Sequence, residues 1–203
     1  MRNKKAEMGI GTLIIFIALL LVAAIAAGVL IQTAGSLQEK ALTTGDQAKG
    51  QIATNVRVIE VSATDGQTGT LREFQQLMKL SPGSDSIKLD QVLLTVNTFN
   101  TTTSLLYQTA SPVVHERNET NGYFTDVALG RGNFTVEYLQ RGPNFIEGNI
   151  QRGDVIRVYF EMPRNVSEDE HIRINFVPRI GTPTLTEFIT PNVISTERVY
   201  LYP

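Results

Sequence analysis

Cysteine is absent from this chain of 203 residues. Its absence excludes thiol catalysis, disulfide bonds and cysteine-based zinc sites. The two histidines, His115 and His171, lie far apart in the sequence, so a metal site would need oxygen ligands of the calcium type. The carboxylates show no ligand-loop spacing, and the Glu168-Asp-Glu170 run is better interpreted as a solvated loop. We therefore predict no cofactor and leave a calcium-type ion as an open alternative.

The first third of the chain lacks proline and has almost no aromatic residues. All eight prolines lie at or after Pro82, and fourteen of the fifteen Phe and Tyr residues lie at or after Phe74. The remainder has the aromatic, Thr, Val and turn content of a β domain. The composition predicts an α+β protein, with a long N-terminal α-helix followed by a C-terminal antiparallel β-sandwich or barrel of the immunoglobulin-like kind.

Charge is absent from Met8 to Gln38, directly behind a short basic start. The apolar stretch Gly9–Ile31 is long enough to cross a bilayer as a helix, which takes roughly 20 residues. Beyond it, apolar residues recur at helical spacing with charged residues between them. This pattern predicts one helix from about Gly9 to about Ala53, longer than one crossing needs, with Gly45 and Gly50 as weak points.

After this helix the apolar pattern shifts towards alternation, and turn residues separate a series of short segments. Short strands at regular spacing are typical of an antiparallel sandwich or barrel. One segment, Leu71–Lys79, also fits a short helix, and Arg152-Gly-Asp154 is interpreted as a turn that feeds a strand. The predicted strands are Asn55–Ala63, Leu71–Lys79, Ile87–Phe99, Ser104–Gln108, Gly122–Ala128, Phe134–Gln140, Val155–Glu161, Ile172–Val177, Thr184–Ile189 and Ser195–Leu201.

Three interpretations of the N-terminal segment remain open. A secretory signal peptide has an apolar core of about 7–15 residues before its cleavage site, and this run is longer. A signal anchor would hold the β domain outside a membrane. In the third interpretation a peptidase removes only the basic leader, and the intact helix then packs with helices of other copies. The amphipathic extension of the helix favours the third, because a simple anchor does not need it.

The segment Lys4–Ala41 resembles the N-terminus of the archaellins, the archaeal flagellins. It contains their Gly-Ile-Gly-Thr-Leu opening at Gly9–Leu13 and their later Leu-Gln-x-Lys-Ala at Leu37–Ala41. The resemblance is nearly continuous over this segment, which makes it specific. Looser agreement in the β region occurs at Gly83-Ser-Asp85, Arg152-Gly-Asp-Val-Ile-Arg157 and Pro178-Arg-Ile-Gly-Thr-Pro183.

The resemblance implies a class III signal, which a prepilin-type peptidase cuts before the apolar helix. The cut would fall between Ala6 and Glu7. The basic recognition pair would be Lys4 and Lys5, and Gly9 would be the third mature residue. The family usually has glycine before the cut, so Ala6 is a departure from its pattern.

The resemblance also implies that the freed helix packs into the core of a filament. Small residues at helix-packing spacing agree with this, since they let helices approach closely. Gly11 would be the fifth mature residue, where bacterial pilins usually carry Glu, and this favours an archaellin over a bacterial-type pilin. The expected packing positions are Gly11, Phe16, Ala23, Ala24, Ala27, Gly28, Ile31 and Gly35.

Four Asn-x-Ser/Thr sequons lie in the β region, at Asn100, Asn118, Asn133 and Asn165. Such sequons accept N-linked glycans on exposed loops of externally displayed proteins. Because archaellins are often N-glycosylated, the resemblance strengthens this interpretation. Asn118 and Asn165 fall in polar, loop-like stretches, whereas Asn133 abuts a predicted strand and is expected to be less accessible.

Two classes of function are disfavoured. The formal net charge is −2, and it becomes about −5 once Arg2, Lys4 and Lys5 leave with the leader, whereas nucleic-acid binding needs a basic stripe. The sequence contains no nucleophile elbow, no His-Glu-x-x-His and no P-loop. We therefore predict no nucleic-acid partner and no enzymatic activity.

We predict a structural subunit of the archaeal flagellum filament, extracellular, whose precursor lies in the cytoplasmic membrane. Its parts would be a cleaved leader (1–6), a filament-core helix (7–54) and a β-sandwich outer domain (55–203). Expected partners are other copies, other archaellins, the prepilin-type peptidase, and the membrane assembly and motor machinery. The alternatives are an archaeal type IV adhesive pilin and, from another class, a membrane-anchored extracellular binding module.

Overall fold

A computed structural model describes residues 4–108 and 132–203 of the chain. These residues form one long helix followed by a series of β-strands, which confirms the predicted α+β class. The chain divides into two compact units, Met1–Ala48 and Lys49–Pro203. The second unit contains the last turn of the helix and all of the strands, and we call it the β domain.

The helix α1 spans Lys4–Ala53, so it ends where the sequence pattern predicted and begins earlier. Gly45 and Gly50 do not interrupt it, because a glycine costs only about 1 kcal/mol relative to alanine inside a helix. Hydroxyl groups along α1 donate hydrogen bonds of 2.9–3.0 Å to carbonyls three residues earlier. These polar side chains are therefore satisfied within the helix and cost little in an apolar environment.

The described residues contain eleven strands and two short 3₁₀ helices, Gly66–Thr68 and Leu89–Gln91. The predicted strand Gly122–Ala128 lies outside the described residues. The strands are β1 (Val56–Ala63), β2 (Leu71–Leu80), β3 (Ile87–Lys88), β4 (Val92–Asn97), β5 (Thr102–Tyr107), β6 (Asn133–Gln140), β7 (Asn149–Ile150), β8 (Val155–Val166), β9 (His171–Pro178), β10 (Thr184–Ile189) and β11 (Val199–Tyr202).

Nine strands form one sheet in the order β10-β9-β4-β5-β6-β8-β2-β1-β11, and β3 pairs with β7 in a separate two-stranded sheet. Within the nine-stranded sheet, β5 and β6 are parallel, through the pairs Leu106–Asn133 and Tyr107–Phe134. The other neighbours are antiparallel. The predicted antiparallel domain is thus confirmed for the sheet as a whole, with one parallel pair that the alternation of side chains does not distinguish.

The two edges of the large sheet approach each other and enclose one face. Thr184 Oγ1 on β10 donates a hydrogen bond of 2.9 Å to the carbonyl oxygen of Val56 on β1. Inside, the ring of Phe74 on β2 lies 6.0 Å from that of Phe160 and 6.4 Å from that of Phe188, centroid to centroid. The curled sheet therefore builds its core between its own two halves, as sandwiches and barrels do.

The core lies on the enclosed face, where alternate residues of each strand point inwards. In β8, buried and half-exposed residues alternate from Ile156 to Met162. The segment Leu71–Lys79 is a strand rather than a helix because it pairs with β8 on one side and β1 on the other. The largest fully buried side chains are Phe74, Phe134, Phe176, Leu71, Met78, Leu89, Leu94, Leu105, Ile150, Ile156, Met162 and Ile172.

Some predicted strand boundaries differ from the structure. The segment Ile87–Phe99, predicted as one strand, is divided into β3, a 3₁₀ helix and β4. It turns because the Leu89 N–H bonds to the carbonyl of Gly148, at 2.9 Å, instead of to a neighbouring strand of the large sheet. The predicted strand Ser195–Leu201 is reduced to β11. The two-residue strand β7 was missed, since it is too short to carry an alternating pattern.

Two loops of the β domain bind the end of α1, at a cluster that we call the junction: Thr54 with the segments Gly83–Asp85 and Pro178–Pro183. The Thr54 carbonyl oxygen accepts the N–H of Thr182 at 2.9 Å. Its hydroxyl oxygen accepts the N–H of Asp85 at 3.2 Å. Both loops are among the segments that carry the looser archaellin resemblance, so the structure brings two separated motifs to one residue.

Ser84 contributes a further link of the junction. Its hydroxyl oxygen accepts the N–H of Asn55 at 3.0 Å and lies 3.2 Å from the carbonyl oxygen of Ala53, to which it can donate. The last carbonyls of a helix have no partner inside the helix. Residues far along the chain therefore satisfy the C-terminal end of α1, and Thr54 and Ser84 are almost completely buried as a result.

Gly181→Ala is expected to destabilise the β domain through the junction. The residue has φ +122°, and an added Cβ would lie 2.7 Å from the Thr54 carbonyl oxygen. We expect the free energy of unfolding of the detergent-solubilised full chain to fall by about 1–3 kcal/mol or more, measured by chemical denaturation. Gly69→Ala is the control, because its φ is +73° but nothing lies within 4 Å of its added Cβ. An equal loss of unfolding free energy in both variants would contradict the role of the contact with the Thr54 carbonyl.

Candidate functional site: the exposed surface of the N-terminal helix

The apolar side chains of α1 are exposed along the whole hydrophobic stretch. From Met8 to Ile31 the large apolar residues have relative exposures between 49% and 73%, whereas Phe74 of the β domain is 2% exposed. By length and composition the helix is able to cross a membrane. Monomeric soluble proteins rarely expose contiguous apolar patches above a few hundred Å². A surface of this size needs a cover, either lipid or other helices.

All but one of the predicted packing positions, most of them small residues, fall on two neighbouring stripes of this surface. With 3.6 residues per turn, Ala24, Gly28, Ile31 and Gly35 fall on one stripe and Phe16, Ala23 and Ala27 on the adjacent one. Gly11 lies on the other side of the helix by the same geometry. The structure therefore brings seven of the eight predicted packing positions to one side of α1.

The glycines of α1 are not explained by packing inside the chain. A Cβ added at Gly11, Gly28 or Gly35 would meet no atom of the described residues within 4 Å, whereas at Gly50 it would lie 3.6 Å from Asp85 and Ile180. Glycine in a helix interior costs about 1 kcal/mol relative to alanine. Small residues on an exposed apolar helix fit close approach by the backbone of another helix.

The predicted cleavage residues Lys4, Lys5, Ala6 and Glu7 lie at the beginning of α1. They precede the exposed apolar stretch. A cut between Ala6 and Glu7 would leave the apolar part of the helix whole.

The sequons lie in different environments. Asn100 is exposed in the turn between β4 and β5, and its Oδ1 accepts Arg164 Nε at 2.9 Å. Asn165 is exposed near the end of β8. Asn133, the first residue of β6, is half-buried, and its Nδ2 donates to Gln108 Oε1 at 2.9 Å. Asn118 lies outside the described residues.

The Arg152-Gly-Asp154 tripeptide is a structural turn. Asp154 is 1% exposed, and its carboxylate accepts the backbone N–H of Gly142 at 2.6 Å and that of Gln151 at 2.8 Å. A buried carboxylate engaged by two backbone donors is not available to an external receptor. The interpretation of this motif as a turn is confirmed.

Polar clusters of the β domain give no arrangement typical of catalysis in the described residues. Tyr159 donates to Glu137 Oε2 at 2.7 Å and accepts from Arg157 at 3.2 Å, and burial raises the pKa of Tyr159 to about 12. Burial likewise raises the pKa of Asp65, although two backbone N–H groups donate to it. No group of three or more His, Asp or Glu side chains in the described ranges could hold a metal ion.

A family model of known proteins matches most of this chain. The model is that of the archaeal-type flagellin, and it covers residues 6–188. The match begins at Ala6 and runs through α1 into β10. It therefore includes the apolar helix, the sequons and both loops of the junction.

Two curated relatives are similar along nearly their full lengths. Flagellin B1 of Methanococcus voltae is 32% identical, with 98% of this chain and 96% of the relative covered. Flagellin B3 of the same organism is 31% identical, with 99% of this chain and 98% of the relative covered. The similarity extends through both units of the chain.

Two solved structures share the fold. The crystal structure of archaeal flagellin FlaB1 from Methanocaldococcus jannaschii superposes with a TM-score of 0.64 at 19% identity, over 74% of this chain and 98% of that one. The archaeal flagellum of Methanospirillum hungatei strain JF1 gives a TM-score of 0.68 at 14% identity, over 96% and 99%. The family match and the relatives above 30% identity show that this chain belongs to the archaeal-type flagellin family.

Proposed function

We propose that this flagellin-family chain polymerises through α1 into the filament of the archaeal flagellum and carries its β domain on the outside. The observation that carries the proposal is the long apolar surface of α1, which no part of the described chain buries. A flagellin is a structural filament protein, and we expect no enzymatic activity. Rotation of the filament would be supplied by separate membrane machinery.

Once α1 leaves the membrane, helix-to-helix packing is the cover that keeps this surface out of water. Some fifteen large apolar side chains between Met8 and Ile31 are exposed, and burying each contributes roughly 1.5–3 kcal/mol before the entropy of ordering is subtracted. A contact of this kind joins different faces of successive copies, and it generates a helical filament when the rotation between copies does not close a ring. Identical helices would then stack into a continuous apolar core.

Before assembly the same helix would hold the precursor in the cytoplasmic membrane. Arg2, Lys4 and Lys5 precede the apolar stretch, and positively charged flanks stay on the cytoplasmic side of a membrane helix. A prepilin-type peptidase would cut between Ala6 and Glu7. The cut removes the charges that hold the helix in place and leaves its apolar length intact.

The β domain would form the outer sheath of the filament and carry N-linked glycans. Its core is complete without α1, since its large buried side chains come from the strands and their connecting loops. It can therefore remain folded while the helix moves from lipid to the filament core. The exposed sequons at Asn100 and Asn165 support a glycosylated outer surface.

N-terminal sequencing of protein sheared from cells tests the processing step, with electron microscopy of the same material. We expect thin filaments whose subunits begin at Glu7. Ala6→Leu should block the cut, because a large side chain does not fit a site that accepts small residues, and Ala6→Gly should be cut at least as well as the native chain. Intact Met1 in a membrane fraction without filaments would overturn the proposal and favour a membrane-anchored binding module.

Substitutions on the stripe that contains Ala24 and Gly28 test helix packing. Ala24→Leu with Gly28→Leu should abolish or shorten filaments, because overpacking a close contact costs about 1–3 kcal/mol and the cost recurs at every subunit. The processed chain should still insert in the membrane, since leucine is apolar. Ile25→Leu is the matched control, because it conserves volume on the same turn. Normal filaments in the double variant, counted by electron microscopy, would contradict packing through this stripe.

Mass spectrometry of filament peptides tests the glycans. We expect glycan mass on Asn100 and Asn165, whose side chains are exposed, and none on Asn133, which is half-buried at the start of β6. Asn118 remains a predicted site. Asn100→Gln and Asn165→Gln should each remove one glycan mass. A glycan on Asn133 would show that accessibility in the folded β domain does not govern the choice of site.

A further inference from the structure

A groove opens where the two edges of the large sheet meet. β11 pairs with β1 only from Val61 to Ala63, so the first half of β1 has an uncovered edge on that side. Across the gap lies the outer edge of β10, which among the described residues pairs only with β9. The groove between them has a volume of about 700 Å³, within the range of ligand-sized clefts.

Two cations face each other on the rim of this groove. Arg57 on β1 and Lys79 on β2 are directly opposite in the register, and both are exposed. Like charges in this position destabilise a sheet. Neither has an ion-pair partner in the described part of the chain, and the described lining of the groove contains no acidic side chain. The side chains that line the groove therefore carry two positive charges and no negative one, which favours an external anionic group.

An acidic turn lies at the opposite end of the sheet. The connection between β8 and β9 carries Glu168 and Asp169, both exposed, and Asp169 has φ +54° at the tip. The groove lies at the other ends of the strands, beside the start of β1 and the start of β10. Since β8 and β9 each extend from one end of the sheet to the other, the turn cannot reach the groove of its own chain.

The acidic turn is held in one shape before any contact forms. Glu170, which is 9% exposed, forms an ion pair with Arg164 and accepts the backbone N–H of Ser167 at 3.3 Å. Its own N–H donates to Thr190 Oγ1 at 2.8 Å. A preorganised turn loses little conformational entropy when it docks.

We propose that the groove between β1 and β10, with Arg57 and Lys79 on its rim, is the docking site for the Glu168–Asp169 turn of a second copy of this chain. The argument is charge complementarity between two surfaces at opposite ends of one domain. Such a contact is heterologous, so each copy uses one surface to bind the copy before it and the other surface to bind the copy after it. The contact would link β domains along the filament, in addition to the packing of α1. This inference rests on the proposed function.

Cysteine crosslinking tests this contact directly, because the chain has no native cysteine. Lys79→Cys with Glu168→Cys, in assembled filaments treated with a short bismaleimide, should give a ladder of dimers, trimers and longer species on denaturing gels. Each single variant should give no ladder. The matched control is Lys88→Cys with Glu168→Cys, since Lys88 is an exposed cation on β3 that does not line the groove. The proposal is overturned if the test pair crosslinks filaments no better than the control pair does.

Charge reversal gives a second, independent measurement. Arg57→Glu with Lys79→Glu should lower the temperature at which sheared filaments dissociate, most strongly at low ionic strength where charges are least screened. Adding Glu168→Lys should restore part of the loss, whereas Asp90→Lys, at another exposed acid, should not. The proposed docking site is overturned if the double variant dissociates at the wild-type temperature. It is also overturned if Glu168→Lys and Asp90→Lys restore the dissociation temperature equally. If Ala24→Leu with Gly28→Leu abolishes filaments while all of these variants behave as wild type, the proposed function stands and only this contact fails.

Discussion

No part of the described residues buries the apolar side chains of α1, and this constraint governs the rest of the molecule. The curled sheet encloses its core without the helix, and the large apolar residues from Met8 to Ile31 stay at least 49% exposed. At roughly 25 cal/mol for each Å² of apolar surface, water is an untenable environment for a helix of this length. In the proposed function, lipid covers the helix first and other helices cover it afterwards. The proposed leader and its proposed cleavage would provide for this change of cover.

The β domain can serve this arrangement because it is self-sufficient. Phe74, Phe160 and Phe188 pack between opposite parts of one sheet, and the junction at Thr54 joins the last turn of α1 to loops that are far apart in sequence. Folding of this domain does not depend on what covers the helix. The proposed glycans and the proposed contact between copies both lie on its surface.

Much of the fold was predictable because it rests on local periodicity. The uncharged stretch and its amphipathic extension predicted a helix ending at Ala53, where α1 does end, and most strands followed from alternation between turn residues. Pairing partners decided what the pattern left open. Leu71–Lys79 is a strand because β8 and β1 flank it on both edges, and the segment after Ile87 breaks because Leu89 bonds to Gly148.

The sequence by itself determined the helix, its apolar length, the basic residues before it and the family resemblance, because each of these is written in consecutive residues. Tertiary structure alone decided the parallel pairing of β5 with β6, the burial of Asp154 in a motif that could have been adhesive, and the convergence of two separated loops on Thr54. It also decided that Asn100 is exposed and Asn133 is half-buried. The physical reason is common to all four: each depends on contacts between residues distant in the chain, whose positions no local pattern encodes.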